Sequence, residues 1–375
     1  MNGETREALE RVVADVIEPA ARTVDQEGKF PREGIDALAR AGMLGLTMDA
    51  ECGGGGAGLR TATEVVERVA RACGSTAMVL LMHYTAAAVL NRYGPAPVRQ
   101  RIAGGEHLST IAFSEPGSRS HFWISAGRAE RDGDTVVLNG RKAWITAATE
   151  ADSYVWSTLP AGGEGAMSLW LVPSRLPGLS EPPPFDGLGL RGNGSSPVTA
   201  TGVRIPQGNL LGDDGAGLEV AMGTILPYFL TLSASFSLGL VEEVFDATVK
   251  HLTATRLDHL DITLAEQPVT RSVLGRMRVD TDRTRTLVES AATAVELDIA
   301  GKVMRPMEAK AAAAETAIAV TDQAMTICGG AAFRKDMGLE RRFRDARAAR
   351  VMAPTTEALH DFIARILCGL PMFGG

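Results

Sequence analysis

The sequence is poor in cysteine: its 375 residues include four, Cys52, Cys73, Cys328 and Cys368. These lie far apart and never in a CxxC spacing, which excludes a dense disulfide framework and a cysteine-based zinc site. We therefore expect reduced, mostly buried thiols and no bound metal.

A broad basic surface is also missing. The formal net charge is -7, and the basic residues are scattered apart from a cluster between Arg341 and Arg350. Nucleic acids and anionic membranes require concentrated positive charge, so neither is an expected partner. The N-terminus is charged and has no apolar signal core, so we expect a cytoplasmic protein.

Long hydrophobic runs are few. Ser75–Leu90, which we take as the most apolar stretch, is interrupted by His83, Tyr84 and Thr85 and is too short to span a bilayer comfortably. It predicts a buried helix and no membrane segment.

The periodicity of apolar residues divides the chain into three parts. Residues 1–108 predict helices, beginning with an apolar face that contains Leu9, Val13 and Ile17. Residues 109–215 predict a compact antiparallel β domain, in which Thr135–Leu138 lies between Asp132-Gly133-Asp134 and a hairpin turn at Asn139-Gly140. Residues 216–375 return to helical periodicity and predict a four-helix bundle. The fold class is therefore α+β, in the order helices, strands, helices.

One segment near the C-terminus has a residue pattern that is highly informative about function. Ile327–Arg347 reads ICGGAAFRKDMGLERRFRDAR, a double-glycine turn followed by a charged helix. This segment resembles the closing signature of the acyl-CoA dehydrogenase family, whose members desaturate acyl thioesters with FAD. Further matches follow in the family's order from about Phe30 to Glu357, so the resemblance covers nearly the whole chain and implies the family's fold, FAD and activity.

The resemblance extends to a loop between the first helices and the strands. Ala112–Ser120 is a strand that runs into a Gly/Ser-rich turn, which can direct hydroxyl and N–H groups at an oxygen-rich ligand. It is similar to the family's first flavin motif. The matching positions, with the preceding Phe113, are Ser114, Glu115, Pro116, Gly117 and Ser120, and the resemblance also places Ser120 near the substrate. Arg119 and His121 depart from the pattern.

A second flavin motif follows. Lys142–Thr146 reads KAWIT and is similar to the strand that covers the flavin in the family. The resemblance implies that Trp144 and Ile145 lie against the flavin and that Thr146 bonds near its reactive edge.

The helical part contributes the remaining positions. The resemblance implies that Arg256 and Gln267 reach across a dimer interface to the pyrophosphate and adenine end of FAD, for which a guanidinium is a sound partner. It implies a homodimer or homotetramer, and it assigns further flavin contacts. These contacts are Gly329, Gly330, Thr355 and Glu357.

The general base of the family is missing. Where the family has a glutamate-glycine-threonine triplet, this chain has Ala353, Pro354 and Thr355. An alternative position on the first helix after the β domain corresponds to Thr224–Leu230, which contains no carboxylate. The resemblance places Ser120, Tyr228 and Ala353 beside the substrate. Loss of a positioned base costs about 10²–10⁴-fold in rate.

Three functions remain open. The first is an oxidoreductase that acts on an acyl thioester, bound to CoA or to a carrier protein, with another base and an unidentified electron acceptor. The second is a flavin-dependent monooxygenase of the same fold, which needs no base for an α-proton. The third is a flavoprotein with non-redox chemistry. Candidate replacement bases are Glu357, His83, Tyr84, Tyr228, His121 and His259.

Overall fold

Two helical domains flank a strand-rich domain along the chain. The computed structural model describes residues 1–118 and 120–373, so Arg119, one of the departures from the flavin motif, lies outside it. The helices are α1 Gly3–Val12, α2 Glu18–Glu27, α3 Arg32–Arg40, α4 Leu59–Ala72, α5 Gly74–Tyr93, α6 Ala96–Ala103, α7 Gly217–Val220, α8 Leu226–Ala254, α9 Pro268–Glu296, α10 Met304–Cys328, α11 Leu339–Val351 and α12 Thr356–Leu367. The strands are β1 Ser109–Ala112, β2 Arg128–Asp132, β3 Thr135–Ile145, β4 Ser153–Thr158, β5 Ser168–Pro173, β6 Leu179–Ser180, β7 Ser196–Pro206, β8 Arg256–Leu257 and β9 Ile262–Thr263.

The buried helix α5 confirms the prediction for Ser75–Leu90. Fifteen of its 20 residues are buried, because α4, α8 and β1 pack around it. It is not the most apolar segment, however. The continuous helical segment Gly217–Ala254 is long and apolar enough to cross a bilayer, but 94% of its most apolar window is buried inside the protein. This is the burial of a core helix.

The middle domain contains two sheets that share one core. The order β2-β3-β7-β6 is antiparallel throughout, whereas in the sheet β1-β4-β5 the strand β1 pairs with β4 in parallel. The prediction of a purely antiparallel domain is therefore wrong at β1. Trp156 and Trp170 are register partners on β4 and β5, and both side chains are buried in the core.

The predicted hairpin turn at Asn139-Gly140 is also wrong. The turn between β2 and β3 lies at Gly133, whose φ is +60°. Asn139 and Gly140 lie inside β3, at a register shift against β7. An Asn-Gly pair suits a two-residue turn, but it also suits an irregular position in a strand.

In the C-terminal domain, α8, α9, α10 and α11 pack into a bundle, and α12 packs against α10. The α+β class and the order helices, strands, helices are confirmed.

A buried polar junction joins the three domains. The Asp345 carboxylate on α11 accepts the N–H of Leu190 at 2.6 Å, and a Cβ added to Gly74 would lie 2.7 Å from its other oxygen. Burial raises the pKa of Asp345 to about 6. The neighbouring Arg344 binds both oxygens of Asp25 on α2, at 2.8 and 2.6 Å. Residues from all three domains therefore meet at α11.

Candidate active site

A buried ion pair anchors the loop after β1 to β3. The Lys142 ammonium is fully buried and lies 2.7 Å from the Glu115 carboxylate and 2.8 Å from the Ser157 hydroxyl. Glu115 also accepts the backbone N–H groups of Ala126 at 2.7 Å and Gly127 at 3.2 Å. The glutamate of the first motif therefore holds the shape of its own loop.

The electrostatics of this pair favour the ionised form. Burial opposes ionisation of Glu115, but Lys142 outweighs it and holds the pKa of the carboxyl below its ordinary value. Burial lowers the pKa of Lys142 to about 8, against the attraction of Glu115. Both groups remain charged near neutral pH.

A bulge at the end of β3 turns Trp144 outward. Lys142 pairs with Val198 and Ile145 with Ser196, so β3 has one residue more than β7 in this interval. Trp144 has φ +58°, which is unusual for a bulky side chain. Such a conformation costs about 1–3 kcal/mol, which contacts with the surrounding structure must offset. Its indole is 66% exposed, and the ring centroid lies 4.3 Å from that of Phe185.

The bulge borders a largely apolar cavity. Its walls come from α5, from β1 and the loop after it, from the end of β3, from the π-helical turn Ala221–Ile225 with the start of α8, and from the loop after α11. The lining residues are Met82, Thr85, Ile111, Phe113, Ser114, Ser118, Phe122, Trp144, Ile145, Ala221, Ile225, Leu226, Phe229, Ala353 and Pro354. None of these described residues has an ionisable side chain.

One hydroxyl of the cavity is available to a ligand. Thr85 donates to the Leu81 carbonyl at 2.8 Å, and Ser118 donates to the Glu115 carbonyl at 2.9 Å. The Ser114 hydroxyl, in contrast, has no hydrogen-bond partner among residues 1–118 and 120–373. It is therefore the polar side chain of the cavity that a ligand can engage most readily.

Two contacts fix the wall at Ala353 and Pro354. The Lys310 ammonium on α10 is buried and donates to the carbonyls of Pro354 at 2.8 Å and Met352 at 3.0 Å. Burial lowers the pKa of Lys310 to about 7. From the other side, the Thr355 N–H donates to the Ser120 hydroxyl at 3.1 Å.

The predicted residues fall into two groups. The first group contains positions of the two flavin motifs and the position of the missing glutamate, which lie in the cavity wall or next to it in sequence. Of the predicted residues, those that line the cavity are Phe113, Ser114, Trp144, Ile145 and Ala353. Gly117, Ser120, Thr146 and Thr355 do not line it but lie within two residues of ones that do. The second group lies elsewhere on this chain and comprises Arg256, Gln267, Gly329, Gly330 and Glu357. Their roles at a subunit interface stay predictions.

Tyr228 does not line the cavity. Both Tyr228 and the next residue, Phe229, pack against the core shared by the N-terminal and C-terminal helices, but only Phe229 of the two lines the cavity. Arg256 pairs with Asp261 in the β8–β9 hairpin, and Gln267 precedes α9.

The candidate bases also lie outside the cavity. His83 is held between the Leu44 carbonyl at 3.0 Å and the Ser109 N–H at 3.1 Å, and burial lowers its pKa to about 4. Tyr84 donates to the Met43 carbonyl at 2.7 Å. Both are therefore satisfied core residues.

The other candidates are exposed. His121 and His259 face the surface, and Glu357 pairs with Arg350 at 3.0 Å. Hence no candidate base of this chain lies in the wall of the cavity.

Comparisons with known proteins agree with this architecture. The models of the acyl-CoA dehydrogenase N-terminal, middle and C-terminal domains match residues 2–105, 110–203 and 215–368. The chain is 30% identical over 384 residues to the mitochondrial short-chain specific acyl-CoA dehydrogenase of Homo sapiens, covering 96% of this chain and 89% of the relative.

Solved structures show the same fold. A glutaryl-coenzyme A dehydrogenase in complex with glutaryl-CoA has a TM-score of 0.91 at 24% identity and covers 99% of this chain and 97% of that one. The prolyl acyl carrier protein oxidase AnaB has a TM-score of 0.89 at 18% identity and covers 98% and 99%. The chain is therefore an enzyme of the acyl-CoA dehydrogenase family.

Proposed function

We propose that this enzyme is an FAD-dependent oxidoreductase that acts on an acyl thioester, bound to CoA or to a carrier protein. The observation that carries the proposal is the convergence of three distant segments on one cavity. These segments are the loop after β1, the end of β3 and the loop after α11. They are the segments whose motifs resemble the flavin and substrate positions of the family.

The residues around the cavity suit a flavin. Trp144 presents a largely exposed indole at the cavity, and a planar isoalloxazine can pack against such a surface. The Ser114 hydroxyl is available to a polar edge, and the Glu115–Lys142 pair keeps the loop in place. When bound, FAD would supply the hydride acceptor.

The cavity suits a neutral, apolar acyl group. Its walls of Met82, Leu226 and Phe229 would exclude water from the reacting carbon, and the Ser114 hydroxyl could orient a carbonyl oxygen. The relatives named above act on CoA thioesters in one case and on a carrier-bound group in another. Both carriers present a thioester, so the proposal covers both.

Removal of the α-proton would differ from that in the rest of the family. Ala353 offers a methyl group, and no described lining residue can accept a proton. The proton would therefore pass to a basic group of the substrate itself, and turnover would be slower than with a positioned carboxylate.

A second candidate function follows from this lack of a base. A flavin-dependent monooxygenase needs no α-proton acceptor, and an apolar cavity without ionisable side chains suits such chemistry equally well. The two functions differ in their dependence on oxygen and on the thioester.

An anaerobic titration tests the proposal. The FAD-loaded enzyme is mixed with thioesters of CoA and of a phosphopantetheinyl carrier protein, and the flavin absorbance is followed. We expect at least one thioester to bleach the flavin. If no thioester does so, while reduced flavin supplied by a reductase supports oxygen consumption, the monooxygenase function replaces the proposal. If neither occurs although FAD is bound, the protein performs non-redox chemistry.

A further inference from the structure

Four aromatic rings form a cluster beside the cavity: Phe122, Trp123, Phe362 and Phe373. Trp123 and Phe373 are stacked, with centroids 4.3 Å apart and planes at 19°. Phe122 meets both of them edge to face, at 5.4 Å from Trp123 and 5.7 Å from Phe373. Phe362 meets Trp123 at 5.6 Å and Phe373 at 5.7 Å. Stacked and perpendicular arrangements are the favourable geometries for such pairs.

Three separate parts of the chain build this aromatic cluster. Phe122 and Trp123 belong to the loop between β1 and β2, and Phe362 is a buried residue of α12. Phe373 arrives because the chain reverses after α12: Gly369 has φ +67°, and the Leu370 N–H donates to the Arg365 carbonyl at 2.9 Å. The C-terminal segment therefore folds back onto the loop that follows the first flavin motif.

Phe122 connects the aromatic cluster to the cavity. Its ring is half-buried and lines the cavity together with Leu226 and Phe229. Two edge-to-face contacts, with Trp123 and Phe373, restrain the ring, so a large rotation of Phe122 requires these neighbours to move as well. The wall at Phe122 is therefore stiff as well as apolar.

We infer that Phe122 is a specificity-determining residue, which limits the length of the apolar group that the cavity accepts, and that Phe373 fixes its position. The inference rests on the proposed function for the identity of that group, an acyl chain. The limit on the length of the bound group depends only on the cavity wall at Phe122 and not on the proposed function. Because interiors are closely packed, removal of the phenyl ring opens room for about three methylene groups.

The test is a comparison of the FAD-loaded full-length protein with its Phe122→Ala variant. Dissociation constants are measured from perturbation of the flavin spectrum, which requires no turnover, with two series of ligands. One series is acyl-CoA from acetyl to dodecanoyl, and the other is linear alcohols from butanol to decanol. In wild type, affinity should stop rising at a limiting chain length. In Phe122→Ala the limit should move to longer chains, with about fourfold tighter binding for each methylene newly accommodated.

Two further variants sharpen the result. Phe373→Ala leaves the cavity wall in place but removes one support of the Phe122 ring, so it should move the limit in the same direction by a smaller amount. Ile124→Ala is the matched control, because Ile124 is 61% exposed and belongs neither to the cavity nor to the aromatic cluster. It should leave both series unchanged.

The outcomes separate this inference from the proposed function. If neither acyl-CoA nor an acyl carrier protein binds or bleaches wild type but Phe122→Ala moves the alcohol limit, the thioester function fails and the role of Phe122 stands. If Phe122→Ala retains FAD and its thermal stability while the limit moves in neither series, the inference is wrong. An equal shift in Ile124→Ala would also overturn it, because the effect would then not belong to the cavity wall.

Discussion

The buried Lys310 makes the free energy of unfolding depend on pH, and the substitution Lys310→Met should remove this dependence. Its ammonium serves the carbonyls of Met352 and Pro354, and no carboxylate lies within salt-bridge distance in residues 1–118 and 120–373. Burial lowers its pKa from 10.5 to about 7 in the folded protein. Between these two values the unfolded chain binds more protons at this position, so the free energy of unfolding rises with pH.

The magnitude follows from the two pKa values. From pH 7 to pH 9 the unfolded chain keeps the proton while the folded protein loses it, which adds about 2 kcal/mol to the free energy of unfolding. The neutral amine still has two N–H donors, enough for the close carbonyls of Met352 and Pro354, and gives up only the longer contact with the Ala349 carbonyl at 3.4 Å. In Lys310→Met this contribution is absent. The methionine also leaves these carbonyls without a donor, at a cost of about 1–3 kcal/mol each.

The measurement is urea unfolding followed by circular dichroism at pH 7, 8 and 9, for wild type and Lys310→Met. We expect the variant to be less stable at pH 7, and the difference to grow by about 2 kcal/mol at pH 9. Lys302→Met is the control, because Lys302 is half-exposed and pairs with Asp298 on the surface. Parallel pH profiles for wild type and Lys310→Met would refute the reasoning.

Two further predictions concern the residues around the cavity. Lys142→Met leaves the Glu115 carboxylate buried without its partner, so we expect the free energy of unfolding in urea to fall by about 3–5 kcal/mol. The double variant Lys142→Met/Glu115→Gln should regain part of this loss, because it removes the unpaired charge. If the effects of the two single substitutions simply add in the double variant, the pairing is contradicted. Ala353→Glu should raise the rate of anaerobic flavin bleaching by no more than about tenfold, whereas a positioned base contributes about 10²–10⁴-fold. The reason is that a carboxyl group next to Pro354 and an apolar wall remains largely protonated. Rapid acyl-CoA turnover by this variant would show that the cavity needs only the missing glutamate.

Local patterns in the sequence predicted much of the fold. The apolar repeats that predicted the first helices coincide with buried faces: Leu9, Val13 and Ile17 are almost inaccessible to solvent. Asn139-Gly140 misled the prediction because the same dipeptide serves a turn and a strand irregularity, and the choice depends on the partner strand. The parallel pairing of β1 with β4 joins segments about forty residues apart, which no local pattern encodes.

The candidate site divides in the same way. Residues in compact motifs, such as Ser114 and Trp144, line one cavity, and their contacts with a flavin stay predictions. Phe229 was missed in favour of Tyr228, because which of two adjacent aromatic residues faces the cavity depends on the rotation of α8. Lys310 offered a signal that went unused: it is a lone lysine in the alanine-rich segment MEAKAAAAET, and a charge in such a stretch has to be satisfied by partners from another element.

The junction at Asp345 has a consequence for how ligands enter. Asp345 binds the middle domain through Leu190, and its neighbour Arg344 binds Asp25 of the first domain, so the α11 helix clamps both other domains. A hinge-like opening between these domains would break the hydrogen bond of the Asp345 carboxylate and the ion pair of the Arg344 guanidinium at the same time. We therefore expect the cavity to have its final shape before a ligand binds. Entry of the ligand should then depend on movements of side chains at the mouth of the cavity.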